Sequence, residues 1–471
     1  MVETTRGNAH VRVRLSTELP GTRAKLWLVM EGSRSGGTEL YAQRALVSRD
    51  NVRKVPGRGV YTESARLERL DFAREISGAP LAHLQQTTLV AEKLSGNIEH
   101  LIGGVEVPVG LAGPLLFSGQ RAKGIIYAPF ATTEGALVAS ATRGATAITR
   151  SGGVSTRVIS QRMMRVPFFI MSDMQGAFLF ASWVRDHIHQ LREEVRKVSE
   201  HANLVSIEPH LIGNMVHVSF VYETGDAAGQ NMTTCATWHG CQWLMRQMEH
   251  YPDIHFERFF LDGNMSGDKK VTFKSFISGR GTRVTAECFL HEKVCEEVLK
   301  TTPLHLVKCN QWSMASAVQT GTVGYNINIA NVIAAMFTAT GQDIASVHES
   351  SVGVLSMETV KNGVHVSLLL PSIIVGTVGG GTHVPRQSEL LQVMDCAGPG
   401  KASRLAEIIA GYCLALDLST MSALATGQFA SAHERLGRNR PVRWLGPGDL
   451  PPQFFEPGLR RALHDDQAYL I

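Results

Sequence analysis

Hydrophobic and polar positions repeat with different periods along this chain, and each change of period marks an element. Residues 1–60 alternate short β-like stretches, His10–Leu15 and Leu26–Met30, with breakers at Ser33–Gly37 and Pro56–Gly59. They predict an accessory arm and carry no chemistry of their own. From Ser64 to Leu94 the spacing of Leu67, Leu70, Phe72, Ile76, Leu81, Leu84 and Leu89 predicts amphipathic helices. Val107–Leu115 is apolar but broken by Gly and Pro, which predicts a strand with tight turns. Thr132 and Thr133, ahead of Glu134–Ser140, read as a hydroxyl-capped helix start with an acid in its first turn, the helix running to Thr149.

Further along, helical stretches at Gly176–Ala202 and Met232–Tyr251 surround strand-like stretches near Phe168–Ser172 and Met215–Tyr222. Val271–Leu290 alternates as two strands joined by Ser278-Gly279-Arg280-Gly281. Asn326–Thr340 reads as a buried helix, Val364–Val378 as apolar strands ending in Gly379-Gly380-Gly381, and Ala402–His433 as two helices. The fold class is therefore α+β, without the strict strand-helix rhythm of a doubly wound sheet and without an internal repeat. Residues 1–63 form the arm, 64–165 with 260–471 a large helix-rich body, and 166–259 a small inserted α+β domain.

Composition narrows the function. With 471 residues, 44% hydrophobic and 19% charged, the chain is globular. Its net charge of +4 is concentrated in residues 1–70, which hold 13 Lys+Arg against 7 Asp+Glu, so the remaining core is slightly acidic and has no basic face for nucleic acid. Seven cysteines, with no CxxC pair, read as reduced, buried thiols of a cytoplasmic protein. Cys235, His239 and Cys241 fit no common zinc spacing, so no metal is expected. No apolar run reaches the roughly 18 residues of a membrane span, and Glu3, Glu18, Glu31 and Glu39 argue against a basic leader.

Four places set polar or charged residues among glycines in apolar surroundings: Thr132-Thr133-Glu134-Gly135, Asp262–Lys270, Gly341-Gln342-Asp343, and His433. Taken singly, Glu134 reads as a helix-dipole acid, Asp343 as a turn residue, Lys269 and Lys270 as a solvated pair and His433 as a packed helix residue. Gly279–Val284 and Gly379–Val384 lack the third glycine of a dinucleotide fingerprint, and Gly398-Pro399-Gly400-Lys401 fails as a P-loop.

Taken together, PVGLAGPL (108–115), ATTEGALVAS (131–140), DGNMSGDKK (262–270), GYN (324–326), GQD (341–343), GTVGGGTHVPRQ (376–387) and LSTMSALATGQFASAH (418–433) resemble the ordered motif series of hydroxymethylglutaryl-CoA reductases. That resemblance implies a soluble thioester reductase, with NADPH or NADH as cofactor, CoA as part of the substrate, a small ferredoxin-like nucleotide-binding domain, and a homodimer or higher even oligomer with active sites at subunit boundaries. It places Glu134, Lys269, Asp343 and His433 at the catalytic positions. Lys269 would stabilise the oxyanion formed at each hydride transfer. Glu134, with Asp343 as its coupled partner, would supply protons, and His433 would protonate the departing thiolate. Arg165, Asp262, Asp268, Lys270 and Asn331 fall at the substrate. Asp226, Gly229 and Asn231, in the loop from Gly225 to Met232, fall at the dinucleotide with Gly379, Gly380 and Gly381.

Three departures fall in the acyl pocket. Asp262 stands where the family has a serine, Gln311 where it has a second lysine, and Val271-Thr272-Phe273 replaces Pro-Ala-Ala. Losing a cation and gaining an anion weakens a dicarboxylic acyl group by about 1.5–3 kcal/mol per charge-assisted bond. Arg165 and Lys270 are the remaining counter-charges, which leaves another acyl thioester open as substrate. Ser199-Glu200-His201, an acid where an arginine often meets the 2′-phosphate, leans towards NADH.

Overall fold

The computed structural model describes residues 2–5, 10–14, 27–31 and 53–430, and the chain divides into two compact units, Met1–Gly104 and Val105–Ile471. In the first unit, β1 (Val2–Thr5), β2 (His10–Arg14) and β3 (Trp27–Glu31) form an antiparallel sheet in chain order. The expected amphipathic helices resolve into one long helix, Glu63–Ser77, a single turn at Ala82–Gln85 and a 3-10 turn at Ala91–Leu94. Thr62 caps the long helix by accepting from the Ala65 amide, and Gly78 closes it in the left-handed conformation. Two buried arginines organise this unit through backbone carbonyls: Arg66 donates to Ile102 O, and Arg69 to Leu101, Gly57 and Val60.

The second unit opens with a hairpin of β4 (Val109–Ser118) and β5 (Lys123–Ala131). The helix Leu137–Arg150 follows, and then β6 (Ser155–Arg165). This last strand joins the rest. Its first part, from Ser155 to Arg162, pairs with β11 (Gly281–His291), and Met163–Arg165 pairs with β9 (Met215–Glu223). On the first side the order continues to β13 (Gly363–Ile373) and β12 (Val354–Val360). On the other side β9 meets β7 (Phe168–Met171), which pairs with β10 (Phe256–Phe260), while β8 (Asn203–Ile212) covers the far edge of β9. With the helices Met174–Asp186, Ile188–Arg196 and Gln230–Met248, the segment from β7 to β10 runs β-α-β-β-α-β in the spatial order β10-β7-β9-β8, the split β-α-β arrangement of ferredoxin-like units. It has a separate core, centred on Phe169, Phe180, Leu191, Val218, Phe220 and Leu244.

Several local readings are corrected. The expected helix Gly176–Ala202 breaks at His187 into two. Val271–Leu290 is not a strand pair: Thr272 accepts from the Ser275 amide and starts a short helix, Phe273–Ser278, before β11 begins. Asn326–Thr340 becomes helical only at Ile329. Ala402–His433 holds two helical stretches, as expected: the helix Ala402–Ala425 and, after a break at Thr426 and Gly427, a second stretch that starts at Gln428 and whose residues beyond 430 lie outside those described. Of the seven cysteines, all free, Cys235 is exposed rather than buried.

That Ala402–Ala425 helix is the axis of the main core. It is 24 residues long and apolar enough to cross a membrane, contrary to the sequence expectation, but 89% of its apolar window is buried inside the protein. Gly144 of the helix Leu137–Arg150 lies against it so closely that a Cβ there would fall 1.8 Å from the Ala415 carbonyl oxygen. Two buried acids interrupt its apolar surface, and each serves backbone amides. Glu407 accepts from Arg121 and Ala122 N–H in the β4–β5 turn. Asp417 accepts from Ile327 and Asn328 N–H at 3.0 and 2.9 Å, holding the start of the helix Ile329–Thr340.

Burial pushes the Asp417 carboxyl up to about 7, against the two amide bonds, which act the other way. Folding therefore favours its protonated form. This contribution to stability is complete below the ordinary carboxyl range, near pH 4, and is lost as the pH rises through about 7. Between pH 5 and 8 the urea midpoint of Asp417→Asn is expected to fall less than that of the parent protein; equal slopes would refute the assignment.

Candidate active site

The loop between β10 and the helix Phe273–Ser278 carries Asp262, Asp268, Lys269 and Lys270. It turns tightly through positive φ at Asn264, Gly267 and Lys269. Arg165, at the end of β6, ties the loop down: its guanidinium reaches Asp262 at 3.1 Å and Asp268 at 2.8 Å, and its Nε donates to Thr234. Arg280, fully buried, meets Asp268 from the other side at 2.8 Å and Glu349 at 2.6 Å. Burial works to raise the Asp268 pKa, but the charges of Arg280 and Arg165 outweigh it and hold the carboxyl below its usual range. For Glu349 the balance is reversed, and burial keeps the carboxyl above its usual range in spite of Arg280.

The loop delivers Lys269 to Asp343. The ammonium lies 3.2 Å from Asp343 Oδ2, both side chains being partly exposed. Gln230, the first residue of the helix Gln230–Met248, donates to the same oxygen at 3.2 Å and to Ser346 Oγ at 2.8 Å. Asp343 keeps its other oxygen for the Ala345 amide, capping the 3-10 turn Ile344–Ser346. Lys270 does not join this pair; its ammonium donates to the Asp268 carbonyl.

Three glycine-rich segments converge here by backbone contact. Ala227 bridges Val378, and the Thr377 amide donates to Asp226 O. Gln342 both donates to and accepts from Gly376. Gly341 lies on Gly381 with φ +72°, and a Cβ on Gly341 would stand 2.3 Å from the Gly381 carbonyl oxygen. Gly341→Ala is therefore expected to cost about 2 kcal/mol or more, because left-handed strain and a backbone clash coincide; an unchanged urea midpoint would contradict this. Gly229 starts the helix Gln230–Met248 without a side-chain cap, exposed Asn231 lies in its first turn, and a Cβ on Gly379 or Gly380 would meet nothing within 4 Å. An uncapped helix head beside open glycines fits the pyrophosphate of a dinucleotide. Asp226 is otherwise engaged: its carboxylate accepts from the Gly400 and Ala402 amides at the head of the core helix.

Glu134 belongs to a different place. It is not in a helix, because the helix begins at Leu137 after Ala136 in the left-handed conformation; Thr132 Oγ1 accepts from the Glu134 amide in a local turn instead. Asn331 Nδ2 donates to both of its carboxylate oxygens, at 3.0 and 3.1 Å. Among the described residues no hydrogen bond or ion pair joins this exposed pair to Lys269 or Asp343. His433 lies outside the described residues.

The comparisons with known proteins decide the family. A model of the hydroxymethylglutaryl-coenzyme A reductases matches residues 65–438. The chain belongs to that family. It is 44% identical over 388 residues to the 3-hydroxy-3-methylglutaryl-coenzyme A reductase of Aeropyrum pernix, covering 81% of this chain and 91% of the relative. The corresponding protein of Pyrococcus abyssi is 40% identical over 371 residues, covering 77% and 90%, and reductase 2 of Dictyostelium discoideum is 35% identical over 390, covering 80% and 71%. Among solved structures, the class II reductase of Streptococcus pneumoniae bound to NADPH superposes with a TM-score of 0.58 at 18% identity, covering 76% of this chain and 96% of that one, a likeness of fold.

The reductase motifs contain Glu134, Lys269 and Asp343, but not the groups that support Lys269 and Asp343. Gln230 lay unnoticed inside the Gly225–Met232 loop, Arg280 inside a glycine pair rejected as a fingerprint, and Glu349 six residues beyond Asp343. Asp417, like Glu407 an acid in a largely apolar helix, was a signal that could have been read.

Proposed function

We propose that this member of the family reduces 3-hydroxy-3-methylglutaryl-CoA to mevalonate, consuming two NAD(P)H and releasing CoA. The observation that carries the reading is the Lys269–Asp343 ion pair beside Gln230. It puts a fixed cation next to an uncapped helix head and open glycines, so a reacting carbonyl and a dinucleotide can meet. The bound dinucleotide supplies the hydride. Lys269 holds the oxygen that becomes negative when the thioester carbonyl, and later the aldehyde, accepts it. Each oxyanion takes a proton, which is the task of Glu134 with its carboxyl oriented by Asn331. Between the two reductions the hemithioacetal expels CoA thiolate, and the resemblance gives its protonation to His433.

Glu134 and Lys269 meet most readily across a subunit boundary. Asn331 stands near the start of the helix Ile329–Thr340, and Asp343 just beyond its end. At 1.5 Å per residue the nine helical steps from Asn331 to Thr340 alone span about 13 Å. Within one chain Glu134 is tied to the first turn of that helix through Asn331 and Lys269 to its far end through Asp343, and a homodimer, with Glu134 of one protomer facing Lys269 of its partner, would bring the two groups together. Residues 166–259 serve as the dinucleotide lobe, 64–165 with 260–471 as the substrate and dimer body, and 1–63 as the arm. Free cysteines suit a cytoplasmic enzyme.

The test is consumption of NADH and of NADPH with hydroxymethylglutaryl-CoA and with uncharged acyl-CoAs. Two reduced nicotinamides lost per thiol released support the reading; none with any thioester leaves a silent homologue. In the acyl pocket Arg165 already faces two carboxylates. Removing one with Asp262→Ser is expected to lower the KM for the dicarboxylic thioester about tenfold while leaving uncharged thioesters unaffected. Equal effects on both classes would mean that Asp262 does not face the acyl carboxylate.

A further inference from the structure

Lys269 has a left-handed backbone, φ 54°, which a lysine adopts only when its surroundings impose it. One short segment imposes it from two directions. Asp343, which opens the 3-10 turn Ile344–Ser346, takes the ammonium at the tip of the side chain. Glu349, in the next turn Val347–Ser350, takes the backbone amide of the same residue at 3.2 Å. The Glu349 oxygen that accepts this amide is the one held by Arg280, and the other arm of that guanidinium holds Asp268, the residue before Lys269. Arg280 and Glu349 are both fully buried. They therefore bracket Lys269 from below, through its own amide and its neighbour's side chain, without reaching the surface where substrate would bind.

We propose that Glu349, oriented by Arg280, is a positioning residue for Lys269, fixing the backbone from which the ammonium is aimed at Asp343 and at the reacting carbonyl oxygen. It acts through Lys269 and touches no substrate. The proposal rests on the reductase reading of the same site, and a buried carboxylate that served stability alone would have no reason to accept that one amide. A neutral carbonyl in the same position would still accept it, so amide acceptance and buried charge can be separated by substitution.

The experiment compares Glu349→Gln, Glu349→Ala and the double variant Arg280→Met with Glu349→Leu, following kcat, KM and urea midpoint in the full-length protein. Glu349→Gln and Glu349→Ala both leave buried Arg280 with Asp268 as its counter-charge and without that of Glu349, and are expected to lose stability alike. Their kcat values should differ: within about threefold of the parent for Glu349→Gln and down about 30-fold for Glu349→Ala, with KM little changed, since a mis-aimed group at a reacting centre costs up to about 100-fold. The double variant leaves no unpaired charge between these two positions and should fold, yet show the kcat of Glu349→Ala. Parent-like kcat in the double variant, or equal kcat losses in Glu349→Gln and Glu349→Ala, would overturn the proposal. A parent protein that oxidises no reduced nicotinamide with any thioester would overturn the reductase reading and this inference with it.

Discussion

Lys269→Met is expected to lower kcat by about 100- to 1,000-fold with a much smaller change in KM. Methionine keeps the length and the apolar stem of lysine but has no charge. Each hydride transfer leaves a negative oxygen, whereas the ground-state thioester carbonyl is neutral, so the ammonium matters most after the hydride has moved. Its loss should therefore appear in kcat. Stability should change little, because the ion pair with Asp343 is exposed at both ends. A variant retaining a kcat within about fivefold of the parent would remove Lys269 from the reaction and leave the ion pair a surface contact.

Glu134→Gln should lower kcat by about 100- to 10,000-fold, the range of a lost general acid. The amide can still meet Asn331, which holds both Glu134 oxygens, so geometry is largely conserved and the missing property is the proton. Asn331→Ala should cost less than Glu134→Gln, because it loosens the carboxyl without removing it. If Asn331→Ala proved the more damaging of the two, Asn331 itself would have to touch the reacting centre.

How far the chain could be read ahead of its structure differed from segment to segment. The motif glycines were legible because they are bound to backbone geometry: Gly341 and Gly381 pack directly on one another, and no other residue fits. The buried helix before Asp343 followed from apolar periodicity. Strand β8 did not, since Glu208, Pro209 and His210 interrupt its pattern, as an edge strand bonded to β9 alone allows. The stretch Val271–Ile277 alternates like a strand, but the Thr272 cap and the turn at Gly279 make it helical. Thr132, Thr133 and Glu134 look like a helix start, and the local turn made by the Thr132 hydroxyl takes their place. Most of the site's support was invisible for a simpler reason. Apart from the Arg280–Asp268 pair, Arg280, Glu349 and Asp417 act through contacts 69 to 90 residues away in sequence, and no local pattern encodes a partner at that distance.

In the proposed reaction the proton donor and the ammonium of one active centre come from two protomers. Mixing Glu134→Gln and Lys269→Met subunits, each nearly inactive alone, and allowing them to exchange tests this most directly. In a twofold dimer, half of the exchanged molecules are mixed and one of their two centres is intact, so about a quarter of parent activity should return. A mixture that exchanges subunits and stays as inactive as its parts would place both groups on one chain and contradict the claim.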